Sequence, residues 1–296
     1  MDQQTLLDRT LKMMRGDTKS WAFGGLPLTD EGLELLADQY PEATTLYLAM
    51  TQVTDAGFEA VNKLTNLEIL GIQMTSLSSK FLEAVNLPSL KTLYITGDQF
   101  TAVSAERIAG LSNLKELRIE KEIVADEVPM CAPSDDLLEL IAQCPSLEIL
   151  EFYGLRLTGS CIPAIAQLKL RKLEMRATFC PAEALKALAA CTTVRILRLD
   201  YSGLDDDTLS VLLDAMDIEE LSVENTAVTI ASVDRIMAAP NLFSLDIDGS
   251  AMGEEGFLKL AKMEGLDYLR CEGLPNAEQL EEKFKAIHNR LIILEL

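Results

Sequence analysis

The chain has 296 residues and a mass of 32.6 kDa, with 48% hydrophobic and 25% charged residues, the composition of a folded protein large enough for one big domain or two ordinary ones. Its 47 acidic and 26 basic residues leave a formal charge of -21, which repels phosphate backbones and anionic bilayers and disfavours nucleic acid or a membrane surface as partner. No stretch reaches the roughly 18 consecutive apolar residues of a membrane span. The start, MDQQTLLDRTLKMMRGD, has neither the basic head nor the apolar run of a secretory leader, so the expected location is the cytoplasm.

Residues 1–25 are expected to form an N-terminal cap, a short amphipathic helix with Leu6, Leu7, Leu11 and Met14 on one side, then a strand carrying Trp21 and Phe23. Gly24 and Gly25 close it with a turn. From residue 26 to 296 a repeat takes over. An LxxLxL-like stretch starts at Ala43, Leu67, Leu90, Leu114, Leu147, Leu170, Val194, Ile218, Leu242, Leu266 and Leu291. The fourth and sixth positions are apolar throughout or nearly so, as in Leu46 and Leu48 or Leu197 and Leu199, which predicts a short strand with one face turned inward. Thr, Ser or Asp then opens a helical stretch whose apolar residues recur at helical spacing, as in Phe58, Val61 and Leu64, or Leu209, Leu212, Leu213 and Met216.

Every step between starts is 23 to 25 residues except the 33 between Leu114 and Leu147. That step carries an insertion near 125–133, ADEVPMCAP, ahead of a helix start at Ser134, Asp135 and Asp136. The insertion reads either as a lip beside a binding face or as a neutral surface loop, with Cys131 as the exposed thiol. The sequence ends in LIILEL, on the sixth position of a strand. An open strand edge is a template for pairing. Two readings stand, an end-to-end dimer or absent covering segment, and an edge that stays bare or is truncated.

A single unit of this kind cannot cover its own apolar face, so stability must come from stacking on neighbours. The pattern resembles the leucine-rich repeat family across residues 18–296. The segments LTDEGLELL (28–36), VTDAGFEAV (53–61), LDDDTLSVL (204–212) and MGEEGFLKL (252–260) are similar to the TDxGL-type 24-residue repeats of its bacterial and cysteine-containing subgroups. The resemblance implies an α/β solenoid, a right-handed horseshoe with a concave parallel sheet of about 11–12 strands and helices on the convex side. It also implies a role in protein binding. The ninth position, often Asn in the family, is Thr51, Thr75, Thr178, Ser202, Thr226 and Ser250 here, a hydroxyl ladder able to bond nearby backbone. Glu122, Leu155 and Leu274 lack it, and irregular turns are expected there.

Third, fifth and seventh positions should face solvent on the concave side. In the repeats starting at Ala43, Leu67 and Leu90 these include Tyr47, Ile69 and Tyr94, and none of the nine is charged. With Met50 and Met74 they suggest a hydrophobic docking patch, although aromatic and β-branched residues also favour strands for their own sake. In the next seven repeats fifteen of 21 such positions are charged, ten acidic and five basic, the basic ones being Arg118, Lys172, Arg176, Arg198 and Arg270. Asp246 belongs to the acidic set, and Tyr153 and Tyr201 lie on the same face or its edge. Asp200, Glu224, Asp248 and Glu272 form a seventh-position column of four carboxylates, and like charges side by side on a sheet destabilise it. A basic protein or peptide is the partner this column favours. A divalent cation fits less well, because a linear column does not converge on one point.

Catalytic signatures are missing. His288 is the single His and occupies a pre-strand register held elsewhere by Leu64 or Cys144, so it reads as structural. The six Cys match no zinc spacing, and Cys144, Cys191 and Cys271 fall on core positions. No phosphate-binding glycine motif follows a strand. The expected function is a non-catalytic scaffold without cofactor or metal, binding a partner protein or peptide through the concave face. The alternative is an effector-like or regulatory adaptor that selects a target for a partner enzyme, as in family members where repeats are joined to ubiquitin-ligase or F-box modules.

Overall fold

The computed structural model describes residues 2–83, 85–120, 135–272, 274–288, 290 and 292–296, with the backbone alone at 98. The chain forms two compact units, Met1–Asp126 with Asp136–Leu147, and Glu127–Asp135 with Glu148–Leu296. The insertion near 125–133, Cys131 and Glu122 lie outside the described residues.

Unit one contains α1 (Gln3–Met13), β1 (Ser20–Ala22), α2 (Asp30–Gln39), β2 (Thr45–Tyr47), α3 (Asp55–Phe58), β3 (Ile69–Gly71), β4 (Thr92–Thr96), α4 (Ala102–Ala109) and β5 (Glu116–Glu120). Residues 136–141 of α5 (Asp135–Ile141) also belong to it. Its five strands pair in parallel, each with its chain neighbours. The register runs through the repeat, with Trp21 opposite Leu46, Leu46 opposite Leu70, Leu70 opposite Leu93 and Leu93 opposite Leu117.

Unit two alternates β6 (Ile149–Tyr153), α6 (Ile162–Ile165), β7 (Lys172–Arg176), α7 (Ala182–Leu185), β8 (Ile196–Arg198), α8 (Asp206–Ala215), β9 (Glu220–Ser222), α9 (Val233–Met237), β10 (Ser244–Asp246), α10 (Gly253–Leu260), β11 (Tyr268–Arg270), α11 (Ala277–Ile287) and β12 (Ile293–Glu295). These strands also pair in parallel in chain order, with Leu150, Leu173, Leu197, Leu221, Leu245, Leu269 and Leu294 in one register row. Each unit is thus an α/β leucine-rich-repeat coil. The inward leucines explain why. Leu46, Leu70, Leu93, Leu197 and Leu245 are fully buried against the helical legs, and burying each contributes ~1.5–3 kcal/mol. Cys144, Cys191 and Cys271 are buried free thiols in this core. His288 is buried as well, with Nδ1 3.2 Å from the Ala261 carbonyl oxygen.

Two features set the repeat's shape. Eight of the described strands are followed by a residue in the left-handed region at the eighth repeat position, namely Gly25, Met50, Met74, Gly154, Ala177, Tyr201, Asn225 and Gly249, with φ from 44° to 71°. This turn sends the chain off the sheet towards the helix. At Leu155 no irregularity results, because Gly154 takes φ 69° and the Leu155 N–H donates to the Thr178 hydroxyl at 3.4 Å. The hydroxyl ladder closes the same turns. Thr51, Thr75 and Thr226 each donate to the backbone carbonyl three residues back at 2.7–2.8 Å.

The second feature is a carboxylate staple between successive repeats. Asp30 accepts from the N–H and hydroxyl of Thr54, both at 2.7 Å. Asp55 accepts from the Ser78 N–H, and Asp135 from the N–H groups of Thr158, Gly159 and Cys161. Asp206 accepts from the Thr229 N–H and hydroxyl and from the Ser232 hydroxyl. Each carboxylate satisfies donors at the start of the next helical leg, where the helix has none of its own partners to offer. Gly57 shows the packing that follows, since a Cβ there would lie 2.3 Å from Asp30 Cβ.

Candidate functional site

Fourth and sixth positions point into the core, so third and fifth positions of the strands form an open face on each sheet. In unit one the register places Tyr47, Gly71 and Tyr94 side by side on β2, β3 and β4. The two tyrosine rings stack across the glycine with centroids 6.3 Å apart and planes 15° from parallel. A Cβ on Gly71 would come 2.7 Å from Tyr47 Cδ1, so only glycine leaves room for the ring. The Arg118 guanidinium lies 5.1 Å from the Tyr94 ring centroid, a cation–π contact, and 3.6 Å from Glu120. The Tyr94 hydroxyl donates to Glu116 at 2.9 Å; burial first, then that carboxylate, hold it protonated beyond the ordinary tyrosine range. Ile69 is half-buried on the same face, whereas Met50 and Met74 sit on the left-handed turns at its rim, 56% and 46% exposed.

Unit two's face is ionic. Counting β6 to β12, the third, fifth and seventh positions hold nine carboxylates and four cations. Lys172 lies 2.5 Å from Glu151 and 2.9 Å from Glu174. Arg176 lies 3.2 Å from Glu174 and 3.5 Å from Asp200. Arg198 lies 3.8 Å from Glu174 and 3.6 Å from Glu220. Arg270 is shared by five carboxylates, Glu272 at 2.8 Å, Asp246 at 3.2 Å, Glu224 at 3.4 Å, Asp248 at 3.6 Å and Glu295 at 3.8 Å. One guanidinium has five N–H donors but a single charge, so this group remains strongly negative. Tyr201 and Tyr268 donate to Glu224 and Glu295 at 3.0 and 2.8 Å, while Tyr153 is half-buried at the end of β6.

The structure corrects three expectations about this face. Glu151, Glu174 and Asp200 are buried, with Asp200 only 2% exposed, because the long side chains of Lys172 and Arg176 lie against them. Asp200 Oδ1 accepts from the Ser222 hydroxyl and the Glu224 N–H, and burial still pushes its carboxyl above the usual carboxylate range. Asp246 is raised by burial too, against the opposing pull of the Asp248 N–H and Arg270. The column of Asp200, Glu224, Asp248 and Glu272 lies just beyond strands that end at Arg198, Ser222, Asp246 and Arg270, so these are turn residues and not cross-strand pairs. Nor is the column uncompensated, since Arg270 reaches three of its members. Sequence reading found the charges but not this convergence, whose signal is one Arg in a strand flanked by acidic third, fifth and seventh positions.

Burial keeps several of the described thiols protonated. Burial pushes Cys180 up to about 12 and Cys271 up to about 11, and burial plus the Asp135 charge raises Cys161 further. Among the described residues no group of three or more His, Cys, Asp or Glu is arranged to hold a metal ion, and no helix is long and apolar enough to cross a membrane.

No protein-family profile matches the chain, and no curated protein matches it. Solved structures similar to it include an internalin of Listeria monocytogenes, with a TM-score of 0.49, 16% identity and 87% of each chain covered. A plant peptide hormone receptor, RGFR1, in complex with RGF2 gives a TM-score of 0.43 and 17% identity, over 78% of this chain and 41% of the receptor chain.

Proposed function

We propose that this chain is a non-catalytic interaction scaffold whose open sheet faces take a partner protein or peptide, and that unit two receives a basic segment of that partner. The observation that carries the reading is Arg270, one cation within 4 Å of five carboxylates on a face where acidic groups outnumber basic ones nine to four. An incoming lysine or arginine relieves repulsion already present in the free protein, so its Coulomb gain exceeds that of an isolated surface pair, ~0–1 kcal/mol. The uncharged ledge of Tyr47, Tyr94, Ile69, Met50 and Met74 supports a second, apolar contact on unit one, since exposed aromatic and methionine side chains bury well against a partner. The repeated Asp staples and Gly57 support the 24-residue TDxGL reading of the repeat.

Calorimetry with a dodecapeptide of alternating glycine and lysine tests the ionic half. Binding should weaken steeply from low salt to 0.3 M, where the screening length drops below ~8 Å. Reversing charge with Asp248→Lys should weaken it at least tenfold at low salt. An affinity indifferent to both salt and that substitution overturns the reading.

A further inference from the structure

On the open face of unit two there is a recess between long side chains. Ser222 on β9 and Ser244 on β10 stand among Arg198, Glu220, Asp246 and Tyr268, and with Leu221 they line a cavity of about 190 Å³. We propose that this cavity is a socket for one ammonium side chain of lysine type, presented by the basic partner; the inference rests on the scaffold reading above and names its specificity site.

Size, charge and donor count agree. At ~30 Å³ per water, the cavity holds about six waters, room for four methylenes and an ammonium. Tyr268 lines the cavity, and an aromatic side chain there suits both the methylene stem and the cation of a lysine. Glu220 and Asp246 supply carboxylates at the walls. Each has a nearby guanidinium, Arg198 at 3.6 Å and Arg270 at 3.2 Å, but Arg198 is shared with Glu174 and Arg270 with four other carboxylates. Behind Ser222 stands Asp200, its side chain 2% exposed, with Oδ2 lacking any hydrogen bond and 3.5 Å from Arg176 Nε. Positive charge is therefore in deficit on the walls and behind them. An ammonium has three donors, which the two carboxylates and the Ser244 hydroxyl can take. The two serines make the space. Larger side chains in their places would close it, leaving a charged surface without a recess.

The test compares the alternating glycine–lysine dodecapeptide with the same peptide carrying trimethylated lysines, which keeps every charge but removes the N–H donors and enlarges the head. By calorimetry at pH 7 and low salt, the parent should bind the unmodified peptide about tenfold more tightly, the worth of charge-assisted hydrogen bonds lost with the methyl groups. Ser244→Leu, which fills the cavity, should bring the unmodified peptide down to the affinity of the trimethylated one and leave the latter unchanged. If Ser244→Leu loses the parent's circular dichroism, Ser244→Gln fills the same space and carries the same expectation. Equal affinities in the parent, or a preference that survives the filled cavity, overturn the socket and leave the scaffold reading standing. Failure of both peptides to bind overturns the two together.

Discussion

Replacing Asp206 by Ala removes a carboxylate that holds three donors of the following repeat, the Thr229 N–H at 2.9 Å, the Thr229 hydroxyl at 2.6 Å and the Ser232 hydroxyl at 2.5 Å. A hydrogen bond to a charged group contributes ~1.5–3 kcal/mol net, but the two hydroxyls can turn to water, so their loss costs less than the full sum. Among the described residues the Thr229 N–H has no acceptor besides Asp206. A loss of about 2–4 kcal/mol is expected for Asp206→Ala, and about half that for Asp206→Asn, whose amide oxygen still accepts one bond. Coupling between repeats is nearest-neighbour, so the damage should be local first. The assay is urea unfolding together with hydrogen exchange of the Thr229 amide, which should lose protection before the amides of β7. The effect also depends on pH. Burial of the Asp206 carboxyl works against its charge, yet the bonds from Ser232 and Thr229 overcome this and hold it below the ordinary 3.8. A folded value below the unfolded one means the stabilisation is complete above 3.8 and disappears as pH falls through the lower folded value. The gap between parent and Asp206→Ala should therefore narrow on acidification. A difference below ~0.5 kcal/mol at pH 7, or a gap that grows in acid, refutes the staple.

Other substitutions test the remaining parts of the structure. Leu197 is fully buried in the register row of unit two, so Leu197→Ala should cost ~2–5 kcal/mol and Leu197→Asp should unfold the neighbouring repeats; an unchanged thermal melt for either contradicts the repeat alignment. Met74 occupies the left-handed turn with φ 52°, and Met74→Gly should raise the urea midpoint by an amount equivalent to up to ~1 kcal/mol. Gly249→Ala should do the reverse, losing ~1–2 kcal/mol, since φ is 61° and the added Cβ would lie 2.3 Å from Asn225 Oδ1. Asp200 is held above the carboxylate range by burial, so its ionisation opposes folding as pH rises through the folded value. Asp200→Asn should stabilise the protein near neutral pH, with the advantage vanishing in acid; an advantage that persists in acid would point to packing instead.

Sequence alone determined the strand register. A period of about 24 residues with leucine at the fourth position and an apolar residue at the sixth admits one arrangement, because a shift by a single residue would turn these apolar side chains out of the core and the charges between them into it. The same alternation told which side chains lie on the open face, and Tyr47, Tyr94, Arg198 and Arg270 are found there. Tertiary structure decided what those side chains do to one another. Neighbours on the face are about 24 residues apart in the chain and their side chains are long, so nothing in the local pattern shows that Arg270 gathers five carboxylates, that Lys172 and Arg176 cover Glu174, or that Ser222 and Ser244 open a recess. Met50 and Met74 make the same point at the rim. Composition marks them as apolar contacts, but the left-handed turn is what exposes them, and a backbone angle selected by the chain's return to the helix leaves no mark on residue type when the side chain is Met and not Gly. Apolar periodicity is a one-dimensional signal of burial, whereas a polar site is a set of distances between residues that meet only after the repeats have stacked.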